Sequence, residues 1–290
     1  MTVLVFGQTG QVGRSLAALQ STAPFELVFL DRAGADLSEP GRCAETIMTL
    51  RPRAVLNAAA WTGVDAAESQ EALASRINGE APGAMARACA ALSIPFLHVS
   101  TDYVFDGSGT APWAVDSPPA PLGAYGRSKA LGERLIQESG VRALILRTSW
   151  VFSPYGSNFV KTMLRLGAER ASLTVVDDQV GGATSAASIA HCLLRLTEAL
   201  LGGAEGGVFH FSGAPDGSWA AFARAIMAEA GLACVVEPIP SSAYPTPAPR
   251  PRNSRLDCQA LRDRFGISRP DWRADLKDVL KALRDQGYAA

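Results

Sequence analysis

The sequence predicts an α/β protein built on a doubly wound parallel sheet with a smaller, discontinuous C-terminal lobe, and three observations carry that prediction. Short β-rich runs recur at Val3 to Phe6, Leu27 to Leu30, Val55 to Asn57, Phe96 to Ser100 and Leu144 to Arg147. They are apolar on both faces, as strands covered by helices on each side must be, and the segments between them are long enough for crossover helices. The first run also ends in a glycine-rich turn that leads into a helical pattern, and a proline-rich stretch from Pro238 to Pro251 later breaks the alternation. Behind that stretch, Leu256 to Phe265 and Trp272 to Gln286 read as amphipathic helices of the smaller lobe.

Composition agrees with this class and excludes others. The 290 residues are 48% hydrophobic and 19% charged, enough to bury a full core. The formal net charge is -1 with Lys and Arg scattered, so no cationic field exists to hold a nucleic-acid backbone. Met1 to Phe6 carries no basic region and reaches Gly7 after a short apolar run, which fits neither a signal peptide nor a membrane span. A cytoplasmic protein without membrane or nucleic-acid partners is expected. Five cysteines lie far apart with no Cys-x-x-Cys pair, and His98, His191 and His210 are not grouped at ligand spacing, so no disulfide framework and no metal site is expected.

The first strand runs into Gly7-Gln8-Thr9-Gly10-Gln11-Val12-Gly13, with a helical run from Arg14 to Gln20 behind it. A first glycine permits the tight turn, a second lets a diphosphate approach the backbone, and a third lets the helix pack closely with its amino end toward the phosphates. The pattern is that of a Rossmann-like dinucleotide site. Asp31 ends the second strand, where an acidic side chain accepts hydrogen bonds from the adenosine ribose, while the adjacent Arg32 is suited to a 2'-phosphate. NADPH is therefore expected, with NADH left open. Asn57-Ala58-Ala59-Ala60 closes another strand with side chains small enough for a ring or ribose to lie on the backbone.

Tyr125 and Lys129 begin a further helical pattern, and residues four apart share one helix face. That spacing predicts an ammonium beside the phenol, lowering a pKa that is ordinarily about 10 toward a usable acid. Thr101, in Ser100-Thr101-Asp102-Tyr103 at the end of a strand, supplies a hydroxyl for the carbonyl of a substrate held over the nicotinamide. Thr101, Tyr125 and Lys129 are the expected catalytic set.

These runs, with Val64 to Glu68, Arg147 to Val151, Asn158 to Met163 and Thr246 to Leu256, closely resemble the extended short-chain dehydrogenases and, within them, the dTDP-4-dehydrorhamnose reductases, over nearly the whole chain. The resemblance implies reduction by NAD(P)H of the C4 keto group of a dTDP-sugar, dTDP-4-dehydro-L-rhamnose, to dTDP-L-rhamnose. Tyr125 would protonate the alkoxide, Lys129 would tune Tyr125 and hold the nicotinamide ribose, and Thr101 would bind the carbonyl oxygen. It implies a cofactor site of Gly7, Thr9, Gly10, Gln11, Val12, Gly13, Asp31, Arg32, Asp36, Leu37, Ala58, Ala59, Ala60, Trp61, Thr62, Val99, Tyr125 and Lys129. For the sugar nucleotide it implies Thr62, Val64, Thr101, Asp102, Tyr103, Trp150, Asn158, Arg250 and Arg255, the arginines suiting a diphosphate. We expect residues 1–152 plus about 179–213 to form the dinucleotide-binding domain, and about 153–178 plus 214–290 the substrate-binding lobe.

Two departures bear on partners and chemistry. Some members of the family bind magnesium at a dimer interface through glutamates, but Ser15 and Ala187 stand at two matching positions, so a homodimer is allowed without a magnesium bridge. Dehydratases of the wider group carry a glutamate where Tyr103 stands, and Tyr103 offers no carboxylate for elimination. Another nucleotide-sugar 4-ketoreductase, an epimerase, and a non-catalytic NAD(P)-binding regulatory subunit remain as alternatives, the last opposed by retention of the full catalytic set.

Overall fold

The five expected strands form at Thr2–Phe6 (β1), Glu26–Leu30 (β2), Ala54–Asn57 (β3), Phe96–Thr101 (β4) and Ala143–Thr148 (β5) in the computed structural model, which describes residues 2–288. A sixth strand, Gly207–His210, joins them, and the order across the sheet is β2, β1, β3, β4, β5, then Gly207–His210, all parallel. Successive side chains of a strand point to opposite faces, and both faces here are apolar. Val3 and Val5 pack with Val12, Leu16 and Ile189, whereas Leu4 and Phe6 pack with Ile47, Met85 and Ile136. Helices Gln11–Ala18 and Ala186–Leu201 therefore cover one face, and helices Pro40–Leu50, Ala81–Ala91 and Ala124–Glu138 the other.

The strand order reverses between β1 and β3, which leaves a crevice at their carboxyl ends, the usual ligand position in an open α/β sheet. A separate apolar cluster, including Phe152, Leu164, Phe222, Ile226, Trp272 and Leu276, forms a second, smaller core. It is built from helices Phe159–Glu169, Trp219–Ala230 and Trp272–Asp285 against the parallel pair Ser172–Val176 and Val235–Ile239.

Three expectations shift in detail. The first helix starts at Gln11 and ends at Ala18, with Gln20–Thr22 forming one separate tight turn. Pro238 does not end the regular structure, because it lies within the strand Val235–Ile239, whose only partner among the described residues is Ser172–Val176. A proline is tolerated on such an edge, where its missing N–H costs no ladder bond. The helix expected from Leu256 starts at Gln259, since Leu256 bridges to Trp113 instead.

Candidate active site

Gly7 follows β1 with φ +100, and a Cβ there would lie 2.7 Å from the backbone nitrogen of Ala59. Gly13 sits beneath the same turn, where a Cβ would fall 2.0 Å from the Gly7 carbonyl oxygen. The two glycines thus allow the helix amino end and the β3 loop to approach closely. Gly10 caps the helix without any side-chain hydrogen bond, leaving amide donors at the helix start for an anion.

From this turn a cavity of about 800 Å³ runs along the carboxyl ends of the strands, at the upper end of ligand-pocket sizes. It gathers nearly all the residues expected for cofactor and substrate, from Thr9 to Val12, through Asp31, Arg32, Asp36 and Leu37, past Ala58 to Thr62 and Val64. It continues by Val99, Thr101, Asp102, Tyr103, Tyr125 and Lys129 to Trp150 and Asn158.

Three expected residues do not line it. Gly13 is packed under the turn, as its role as the third glycine requires. Arg250 is held 2.8 Å from the carboxylate of Asp65, and Arg255 donates to the Asn253 side chain at 3.1 Å. Both arginines are held by intramolecular partners outside the cavity wall.

At the distal end of the cleft, Asp31 accepts the Gly34 amide at 2.9 Å, and Arg32 pairs through Nε with Asp36 at 3.0 Å. The Ser38 amide and then Arg32 hold the Asp36 carboxyl below its usual range. Arg32 is otherwise solvent-exposed, so its remaining guanidinium nitrogens are available to an anion.

At the other end, Asp102 is buried, its Oδ1 accepting from the Thr101 hydroxyl at 3.1 Å while Oδ2 has no partner among the described residues. Burial pushes its pKa up to about 6, against the pull of the neighbouring Ser254 and Thr101 hydroxyls. Tyr125 is buried beside Tyr103, with ring centroids 5.5 Å apart. Desolvation pushes its phenol up to about 12, opposed by the facing Thr101 hydroxyl and reinforced by Asp102. Lys129 is not among the groups that offset this rise. The lysine amine is drawn instead to the Val99 carbonyl at 2.8 Å and to His98 Nε2 at 3.0 Å.

The strand-end rule also points to Ser100 and Thr148, which the motif reading passed over and which line the cavity. Trp219 was missed too. Its ring stacks on Trp150 with centroids 3.8 Å apart, a pairing across 69 residues that no local pattern signals. Trp150 itself holds φ +49, uncommon for a bulky residue. Ser153 and Asn158 both donate to the Gln11 side chain, at 2.7 and 3.0 Å, tying the glycine-turn helix to the loop entering the smaller layer.

A parallel sheet with this glycine turn at its switch point defines a Rossmann-like dinucleotide-binding protein. More particularly, the family described as RmlD substrate binding domain matches residues 1–285, and the chain belongs to that family. It is 46% identical over 290 residues to a dTDP-4-dehydrorhamnose reductase of Burkholderia thailandensis, covering 94% of this chain and 96% of that one. Identity to the Escherichia coli K12 dTDP-4-dehydrorhamnose reductase is 40% over 294 residues, covering 98% of both. Among solved structures, a dTDP-4-dehydrorhamnose reductase from Clostridium acetobutylicum superposes with a TM-score of 0.93 at 32% identity, covering 98% of this chain and 100% of that one. One from Bacillus anthracis, in complex with NADP, gives 0.90 at 31%, covering 97% and 99%.

Proposed function

We propose that this chain is an NAD(P)H-dependent oxidoreductase that reduces the C4 keto group of dTDP-4-dehydro-L-rhamnose to give dTDP-L-rhamnose. The observation that carries this reading is convergence. Thr101, Tyr125 and Lys129, from a strand end and the helix beside it, meet in one cleft with the glycine turn, in a chain about two-fifths identical over its length to reductases of that name.

The residues present fit a dinucleotide, because the cradle at Gly7 is closed to any Cβ and the helix amides above it are uncapped. NADPH is favoured by the free guanidinium nitrogens of Arg32, while Asp31 suits the unphosphorylated ribose of NADH. The bound nicotinamide supplies the hydride. Tyr125 holds the proton that neutralises the alkoxide at C4, and the Thr101 hydroxyl, turning from Asp102 Oδ1, donates to the same oxygen as charge develops. A buried phenol with a raised pKa keeps its proton until an alkoxide, a stronger base, forms beside it. The unpartnered Asp102 Oδ2 is suited to accept from a sugar hydroxyl, and the stacked pair Trp150 and Trp219 offers a flat apolar wall for a base.

In this reading the six-stranded sheet, residues 1–152 with about 179–213, carries the dinucleotide, and the layer of about 153–178 with 214–290 carries the sugar nucleotide. No described helix is long and apolar enough to cross a membrane, and a cytoplasmic enzyme is proposed. Any homodimer would form without a magnesium bridge, since neither Ser15 nor Ala187 carries a carboxylate. The test is oxidation of NADPH and of NADH with dTDP-4-keto-6-deoxy-L-lyxo-hexulose, with identification of the product. Stoichiometric cofactor consumption yielding dTDP-L-rhamnose is expected. A different C4 epimer, or turnover without net oxidation, would overturn the assignment.

A further inference from the structure

Behind the cleft, Lys129 belongs to a buried chain of polar groups whose hydrogens do not balance. The Asn57 side-chain oxygen accepts the Ala59 amide at 3.0 Å, which fixes the amide so that Nδ2 points away, to His98 Nδ1 at 3.1 Å. His98 Nε2 then faces the Lys129 amine at 3.0 Å, and that amine also donates to the Val99 carbonyl at 2.8 Å. Asn57, His98 and Lys129 are all buried, so water does not repair a mismatch among them.

A neutral imidazole carries one proton, on either nitrogen. If Nδ1 accepts from Asn57, the proton is on Nε2, and Nε2–H needs an acceptor. Only a neutral amine has the lone pair to serve. If Lys129 is instead an ammonium, Nε2 must accept, the proton moves to Nδ1, and it meets the Asn57 NH2 donor. Rotating the Asn57 amide relieves that contact but turns the same NH2 onto the Ala59 N–H. Each arrangement with a charged lysine leaves one buried donor against another, and an unsatisfied buried donor is costly.

We propose that His98, oriented by Asn57, is a positioning residue that governs the charge of the Lys129 amine through its tautomer, the neutral amine matching Nε2–H and the ammonium leaving a donor unpaired. Passing between the two states removes one proton from the pair, and the imidazole is neutral in both. Of the other charged and titratable groups, Glu133 on the same helix acts on Lys129 directly, Tyr125 on that helix and Asp102 after β4 line the same cleft, and Arg147 on β5 lies behind Glu133. Glu133 favours the ammonium but is itself engaged by Arg147 at 2.6 Å. Burial sets the direction, holding Lys129 at about 8 and His98 well below an ordinary imidazole, the latter with help from the lysine charge. The kinetic consequence rests on Lys129 acting in the reduction, whereas the tautomer itself does not.

Nitrogen NMR of the full-length, cofactor-free protein labelled at histidine reads the tautomer directly. Only three histidines are present, and His98→Gln assigns the signal. From pH 6 to 10, His98 is expected to pass to the Nε2–H tautomer as Lys129 loses its proton, without becoming an imidazolium. An Nδ1–H tautomer at pH 10, or titration as an ordinary imidazole, overturns the proposal. Asn57→Asp replaces the opposing donor with an acceptor that receives Nδ1–H, and should raise the midpoint of this change by about one pH unit, a tenfold shift in proton concentration. In the same variant the lysine-dependent limb of the pH–kcat profile should move in the same direction. A midpoint that stays where it is would give Asn57 a packing role only and overturn the proposal. Should the variant fail to fold, the tautomer of the native protein decides alone.

Discussion

Two buried cations, Arg147 on β5 and Lys129 on the helix Ala124–Glu138, are treated in opposite ways in this molecule. Arg147 is clasped by Glu133, with Nη2 at 2.6 Å and Nε at 2.9 Å from the two carboxylate oxygens, and both side chains are almost wholly covered. Among the described residues Lys129 has no carboxylate partner, and it is held by a carbonyl and an imidazole. A cation given a bidentate counter-charge is fixed in its charged form, whereas one given neutral partners is free to change charge. The first arrangement belongs to the wall behind the strand ends. The second opens into the cleft, where a proton must move.

The strongest way to break this comparison is Glu133→Gln. It leaves a buried guanidinium uncompensated and should destabilise the fold by about 3–5 kcal/mol, measured by denaturant unfolding. A loss below 1 kcal/mol would mean that Arg147 is not held by charge.

Lys129→Met is expected to act with the opposite sign on stability. Because the folded-state pKa lies below that of the free lysine, the native state carries a charge at a cost below about pH 8. That cost fades as pH rises from about 8 to about 10.5. The variant should gain roughly 2 kcal/mol at pH 7, none at pH 10.5, and lose about 100-fold in kcat. Destabilisation at pH 7 would make the two cations alike.

Asp102→Asn is the smaller counterpart on the acidic side. The folded-state pKa is raised, so stability falls as pH rises from about 4 to about 6. The amide should add about 1 kcal/mol at pH 8, add nothing at pH 4, and raise KM for the sugar nucleotide. An unchanged KM would remove Asp102 from substrate recognition.

The parts of this site that the sequence announces are local ones. The glycine turn, the three alanines after β3, the strand-end Thr101 and the four-residue step from Tyr125 to Lys129 are each written within a few residues, so strand and helix periods suffice to find them. The charge environment is not local. His98 reads as an interior histidine, and that it receives Lys129, 31 positions away, emerges only when β4 and the Ala124–Glu138 helix pack together. The same distance effect explains the arginines. Arg250 suits a diphosphate by type, and its pairing with Asp65, 185 positions earlier, shows only in the folded chain. Trp219 and the sixth strand Gly207–His210 were likewise invisible until the chain closed on itself.

The most direct measurement is single-turnover reduction by Tyr125→Phe with NADPH bound. The phenylalanine ring retains the packing against Tyr103, and neither the glycine turn nor the helix amides change, so NADPH should still bind, weakened by no more than the one contact of the lost hydroxyl. Carbonyl reduction should fall by at least about 100-fold, the range for loss of a general acid. Reduction at the unmodified rate would show that the proton at C4 comes from elsewhere.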